Sequence, residues 1–88
     1  MEDAKSKDLD TIIRLVDRVK VDSSHQTTLE TRLLEDSAID SLTLIDLAEE
    51  VQREMQVVFL PEDYSFENLG SVRGLLDLVN RRRPPRAS

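Results

Sequence analysis

Three stretches of this chain place apolar residues at helical intervals, and the segments between them carry no sustained period. Leu9, Ile12, Ile13, Val16 and Val19 recur at offsets of three and four. They mark one face of a helix over about residues 7–20, with Asp10, Arg14, Asp17 and Arg18 on the other face. Leu42, Ile45, Ala48, Val51 and Met55, widened by Leu44 and Leu47, predict a second helix from about Ser41 to Met55. Val72, Leu75, Leu76 and Val79 predict a last one behind a capping Ser71. A chain of 88 residues makes one small domain with a modest core, so these faces have to be buried against one another.

Residues 21–39 break the pattern. Asp22, Ser23, Ser24, Thr27 and Thr28 form turns and caps, and Leu29, Leu33, Leu34 and Ile39 are the apolar anchors. Connections this long are usually functional or linkers. The leucines predict that this one packs over the core, with a short turn at Leu29–Leu34. Val57-Val58-Phe59-Leu60 has no second strand to pair with and predicts a buried extended link into Pro61. Pro61-Glu62-Asp63 suits a helix opening, with room for one or two turns before Leu69-Gly70. Gly74 inside the last helix costs ~1 kcal/mol against alanine, which predicts a close helix contact there. Pro84-Pro85 ends helical structure. The expected organisation is a flexible N-terminus at 1–7, a folded domain at 8–80 and a disordered Arg/Pro tail at 81–88. The fold expected is a small all-α four-helix bundle, with three main helices, one short third helix and a long loop between the first two.

Charge and composition narrow the function. Four of the twelve basic residues, Arg81, Arg82, Arg83 and Arg86, lie beyond residue 80. Residues 1–80 therefore hold eight Lys+Arg against eighteen Asp+Glu, a net of −10. An acidic body disfavours nucleic acid and anionic membranes and favours basic protein partners. The arginine run then reads as a solubilising tail or a partner contact. With no cysteine there is no disulfide, thiolate metal site or thiol nucleophile. His25 stands alone as a surface loop residue, without convergent acids for a metal or catalytic role. Tyr64 and Phe66 read as core or rim packing, and Met55 as core. No apolar run approaches the roughly 20 residues of a membrane span, and the N-terminus lacks a signal-peptide core. A free-standing cytoplasmic monomer is the expectation.

The richest stretch is Ala38-Ile39-Asp40-Ser41-Leu42, leading into an acidic helix. Asp40 is a good N-cap, because its carboxylate can accept from the first free backbone N–H groups. Ser41 then occupies the first helical position, exposed at the positive end of the helix dipole and suited to carry an anionic substituent. Asp46, Glu49, Glu50 and Glu54, relieved only by Arg53, give that helix an acidic face. Taken alone, the serine is also an ordinary first-turn residue and the acidic face an ordinary solvated one.

With the helix plan around it, the chain resembles the acyl carrier proteins, the phosphopantetheine-bearing modules of fatty acid and polyketide synthesis. The resemblance rests on Asp40-Ser41-Leu42 opening an acidic second helix, after a long loop with Thr31 and Leu33. The apolar link to Pro61, the short third helix and Gly70-Ser71-Val72 opening the last helix agree with it over roughly residues 8–80. Asp-Ser-Leu by itself is a weak motif. The sequence departs from the family in having Ser37-Ala38 where Leu-Gly is common, and Leu44 where a polar residue is common.

The resemblance implies a covalent 4'-phosphopantetheine, attached at Ser41 by a phosphopantetheinyl transferase that draws it from coenzyme A. Asp40 and Leu42 flank that attachment site. The arm's thiol would carry acyl groups as thioesters, so the protein would be a carrier and not an enzyme, in keeping with the absence of a nucleophile–base pair. Leu42, Leu44, Asp46, Glu49, Glu50 and Glu54 would form the docking surface for an acyltransferase, ketosynthase or acyl or aminoacyl ligase. Ile45, Ala48, Val51 and Leu60 would line space for the acyl chain. The departures favour polyketide or other specialised biosynthesis over general fatty acid synthesis. Aspartate before the serine favours an acyl over a peptidyl carrier, with D-alanyl-type aminoacyl carriers and an unmodified acidic helical adaptor as alternatives.

Overall fold

The computed structural model describes residues 4–21, 26–37 and 39–83. His25, Ala38 and Pro84–Ser88 lie outside the described residues, and the expectations for them with it. Among the described residues the structure is helical and contains no strand. It has α1 (Ala4–Val19), α2 (Leu33–Asp36), α3 (Ser41–Met55), a 3-10 turn (Pro61–Asp63), α4 (Phe66–Leu69) and α5 (Val72–Arg82). The all-α class follows the periodicity, with five helices. The expected third helix is two separate turns, broken at Tyr64–Ser65 where Ser65 Oγ caps α4 by accepting from the Asn68 N–H at 3.3 Å.

The core forms where α1 and α5 pack on α3. Ile12, Leu15 and Val16 of α1 meet Leu44, Leu47, Ala48 and Val51 of α3 and Val72, Leu75, Leu76, Leu78 and Val79 of α5. The buried positions of α3 sit at offsets of three and four, but one step out of phase with the Leu42–Ile45 stripe. Leu42 is 76 % exposed and Ile45 43 % exposed. Both stripes are apolar, so periodicity alone could not choose between them; α1 and α5 cover the Leu44 side.

The long connection packs over the core as its leucines predict. Leu33 and Ile39 are buried, and α2 supplies the turn expected near Leu29–Leu34. The Leu33 N–H donates to Gly70 O (2.8 Å), while Val72 N–H and Arg73 N–H donate to Thr31 O and Leu29 O (both 3.1 Å). An ion pair between Arg73 and Glu30 ties the same segments together. The loop thus spends its backbone bonds on the α4–α5 junction, as buried backbone must.

At Gly74, a Cβ would lie 2.7 Å from the backbone oxygens of both Glu67 and Asn68. The glycine lets α4 pack on α5 at that distance, which offsets its helix-propensity cost.

Both expected domain edges move outward. The N-terminal helix begins at Ala4, not after residue 7, and α5 runs through Arg82. Arg82 donates to Asp63 through Nε (2.7 Å) and Nη2 (2.8 Å), and Arg83 to Asp8 through Nη1 (2.7 Å) and Nη2 (3.0 Å). Residues 81–83 are therefore part of the fold, not of a disordered tail. Each fork-shaped guanidinium holds a carboxylate at two points, a pairing stronger and more directional than an ordinary hydrogen bond.

Candidate functional site

Asp40 caps α3 as its sequence position predicts. Its Oδ1 accepts the Thr43 N–H at 2.8 Å, and its carbonyl accepts the Leu44 N–H at 2.9 Å. The Thr43 backbone N–H holds the Asp40 carboxyl below the usual carboxylate range. Ser41 follows at the first helical position and is exposed. The N–H groups of Ser41 and Leu42 precede the first intrahelical donor, the Leu44 N–H, which leaves donors pointing out of the positive end of the helix. The first turn of α3 contains no acidic residue.

Ser41 lies at the edge of an apolar groove of about 210 Å³. Leu44 and Ile45 of α3 form one wall, and Tyr64, Ser65, Phe66 and Leu69 form the other. Phe66 is 69 % exposed, and Leu42 stands free beside the serine. Tyr64 stacks edge-on against buried Phe59, with ring centres 6.4 Å apart. Phe66 thus borders the groove from the surface instead of filling the core. Met55 is partly buried against the core.

Gln52 fastens the second wall to α3. Its Oε1 accepts the Phe59 N–H (2.8 Å), and its Nε2 donates to the Tyr64 hydroxyl (3.0 Å) and to Ala48 O (3.2 Å). Gln56, in the left-handed conformation at φ 57°, turns the chain out of α3 into this link. The link alternates: Val57 and Phe59 are buried, and Val58 and Leu60 are exposed. It is half buried, not fully buried.

Asp63 anchors the far end. Besides Arg82, its Oδ2 accepts the Leu60 N–H at 2.7 Å, and its carbonyl accepts from Asn68 Nδ2 at 3.0 Å. The Arg82 guanidinium lowers the Asp63 carboxyl to about 2, against the opposing effect of burial.

Of the expected docking residues Leu42 is exposed, and the other five separate into three groups. Leu44, expected on a partner surface, is buried at 4 % exposure, so it belongs to the core and the groove floor. Asp46 and Glu49 are exposed, and among the described residues neither has an ion-pair partner. Glu50 pairs with Arg53 and Glu54 with Arg14, so part of the acidic face is already neutralised within the chain. Of the residues expected to line the acyl space, Ile45 borders the groove, Ala48 and Val51 are sealed in the core, and Leu60 lies outside the lining. Sequence reasoning missed Gln52, Asp63 and Arg82. A proline followed two residues later by an acid whose side chain can reach back to the preceding backbone N–H was the available signal for Asp63.

The sequence matches no model of a known protein family and no curated protein. No helix among the described residues is long and apolar enough to cross a membrane, and no cluster of His, Cys, Asp or Glu there could hold a metal ion.

Proposed function

We propose that the chain is an acyl carrier protein whose attachment point is Ser41. The observation that carries this reading is an exposed first-turn serine on a capped helix at the mouth of an apolar groove. The site suits a phosphodiester-linked arm. The hydroxyl is accessible, the outward N–H groups of the first turn favour an anion, and the charge of Asp40 is turned onto the Thr43 N–H. When attached, 4'-phosphopantetheine would supply the thiol that this cysteine-free chain lacks. The protein's own part is to present Ser41, shelter apolar cargo between α3 and the Tyr64–Leu69 wall, and offer Asp46 and Glu49 to basic partner surfaces. In this reading α1, α3 and α5 are the main helices of a four-helix carrier bundle. The 3-10 turn and α4 together take the place of its short third helix.

The near-absence of polar groups in the groove favours an acyl cargo over an aminoacyl or peptidyl one. The work of the chain would lie in a cytoplasmic biosynthetic pathway of the polyketide or fatty acid kind, handing intermediates to a ketosynthase, acyltransferase or ligase. The test is incubation with coenzyme A and a promiscuous phosphopantetheinyl transferase, read by intact mass. The wild type gains one phosphopantetheine and Ser41→Ala gains none. If the wild type gains nothing, or the alanine variant gains equally, Ser41 is not the attachment point. The exposed Leu42, Ile45 and Phe66 would then fit the unmodified adaptor.

A further inference from the structure

We infer that Arg82 is a positioning residue for the groove beside Ser41, holding the wall that α3 does not supply. Its functional meaning rests on the carrier reading, because the groove matters as the place where cargo would lie. The wall buries few side chains of its own. Between residues 61 and 69 only Asp63 and Leu69 are buried, and the two helical pieces are three and four residues long. Turns that short do not persist without tertiary support. Leu69 anchors one end to the core; at the other end Gln52 holds Phe59 and Tyr64, and a charged side chain holds the turn before Tyr64.

Asp63 is 3 % exposed, so its charge needs a partner at all times. Arg82 supplies it with two bonds, and Asp63 in turn organises its neighbours. Its carboxylate receives the Leu60 N–H, and its carbonyl receives the Ser65 N–H (2.9 Å) and Asn68 Nδ2. Arg81 reinforces the arrangement by donating to Asn68 Oδ1 at 2.9 Å. The end of α5 thus grips the turn immediately before Tyr64, and Tyr64 is a wall of the groove. Arg83, one residue on, makes an equivalent two-point pairing with Asp8 of α1, which is not part of that wall. It is a built-in control: same chemistry, same helix end, different target.

The chain also contains its own reporter. Tyr64 is the sole tyrosine and there is no tryptophan, so intrinsic fluorescence reads the groove wall alone. The experiment compares wild type, Arg82→Ala, Arg82→Lys and Arg83→Ala by acrylamide quenching of Tyr64, with helicity and melting temperature followed by circular dichroism. None of these readings requires modification of Ser41, so the outcome stands apart from the mass test of the carrier reading. Tyr64 is 39 % exposed in the native wall, so releasing it raises quenching by up to about twofold in Arg82→Ala. Arg82→Lys, which keeps the charge but loses the fork, falls between the two. Arg83→Ala lowers the melting temperature and leaves Tyr64 as in the wild type. Native quenching in a folded Arg82→Ala variant overturns the inference, as does an equal change in Arg83→Ala. Should Arg82→Ala lose its helicity, a folded Arg82→Lys with unchanged Tyr64 overturns it equally.

Discussion

Across the groove beside Ser41, α3 supplies one wall with a fifteen-residue helix, whereas residues 64–69 supply the other, carried by a link and two short turns. The first wall is held by what it buries: Leu44, Leu47, Ala48 and Val51 face the core, and Asp40 closes the helix at its start. The second buries only Val57, Phe59 and Leu69 among its apolar side chains and relies more on what it bonds: Gln52 to Phe59 and Tyr64, and Arg82 to Asp63. Apolar burial is non-directional and spreads over many atoms, so it tolerates small shifts. Hydrogen bonds and ion pairs fix a few atoms tightly and fail together when one partner is lost. A site with one wall of each kind has a reference face that burial holds and a second face that can be released as a unit.

The largest effect is expected where burial dominates. Leu47 is 1 % exposed, and Leu47→Ala leaves a cavity between α3 and its neighbours. The change costs ~2–5 kcal/mol, a large share of the ~5–15 kcal/mol available to a small domain. Urea unfolding followed by circular dichroism measures it. The helical signal and the Tyr64 signal should fall together, since the second wall has no stability apart from the first. A loss under ~1 kcal/mol would mean that α3 is not the reference face.

The two walls were not equally legible in the sequence. Burial against a helix leaves a period of three and four, and that period located α1, α3 and α5 to within a few residues. It draws the apolar face of α3 too broad, because Leu42 and Ile45 continue the pattern on the side that the groove leaves open. The family resemblance, not the period, points Leu44 to a partner surface, and the structure buries it. Bonds between distant side chains leave no period at all. Asp63 and Arg82 are nineteen residues apart, and nothing near either one announces the other. A basic run ahead of two prolines reads as a tail, and only packing shows that two of its arginines meet buried carboxylates. Ser41 and its cap were legible because capping is local: donor and acceptor sit three residues apart.

A smaller effect should separate the walls by pH. The Asp63 carboxyl is lowered to about 2 in the folded protein, against about 3.9 in an unfolded chain. A carboxyl lowered on folding contributes stability that is complete above its unfolded value and lost as the pH falls through its folded value. The Arg82–Asp63 contribution is therefore intact at pH 5 and lost between about pH 4 and 2. Over that window Tyr64 should become more accessible to acrylamide ahead of the loss of helical signal. A Tyr64 transition completed above pH 5, or one inseparable from helix unfolding, would dissolve the distinction between the walls.

The smallest effect tests the start of α3, where the two walls meet at Ser41. Asp40→Ala removes the acceptor for the Thr43 N–H and should lower the melting temperature by on the order of 5 °C, as loss of one cap does in a domain of this size. Asp40→Asn keeps an acceptor in the same place and should hold most of that stability. The aspartate's carboxyl is lowered by the Thr43 N–H, so its advantage over asparagine is present at neutral pH and vanishes as the pH falls through that lowered value and the carboxylate protonates. The asparagine variant also removes the negative charge preceding Ser41 while leaving the helix start in place. If both variants lose equal stability at pH 7 and that loss closes in acid, the cap acts through charge on the helix dipole and not through its bond to Thr43. In either outcome the Tyr64 quenching should stay native, because the cap belongs to the wall that burial holds.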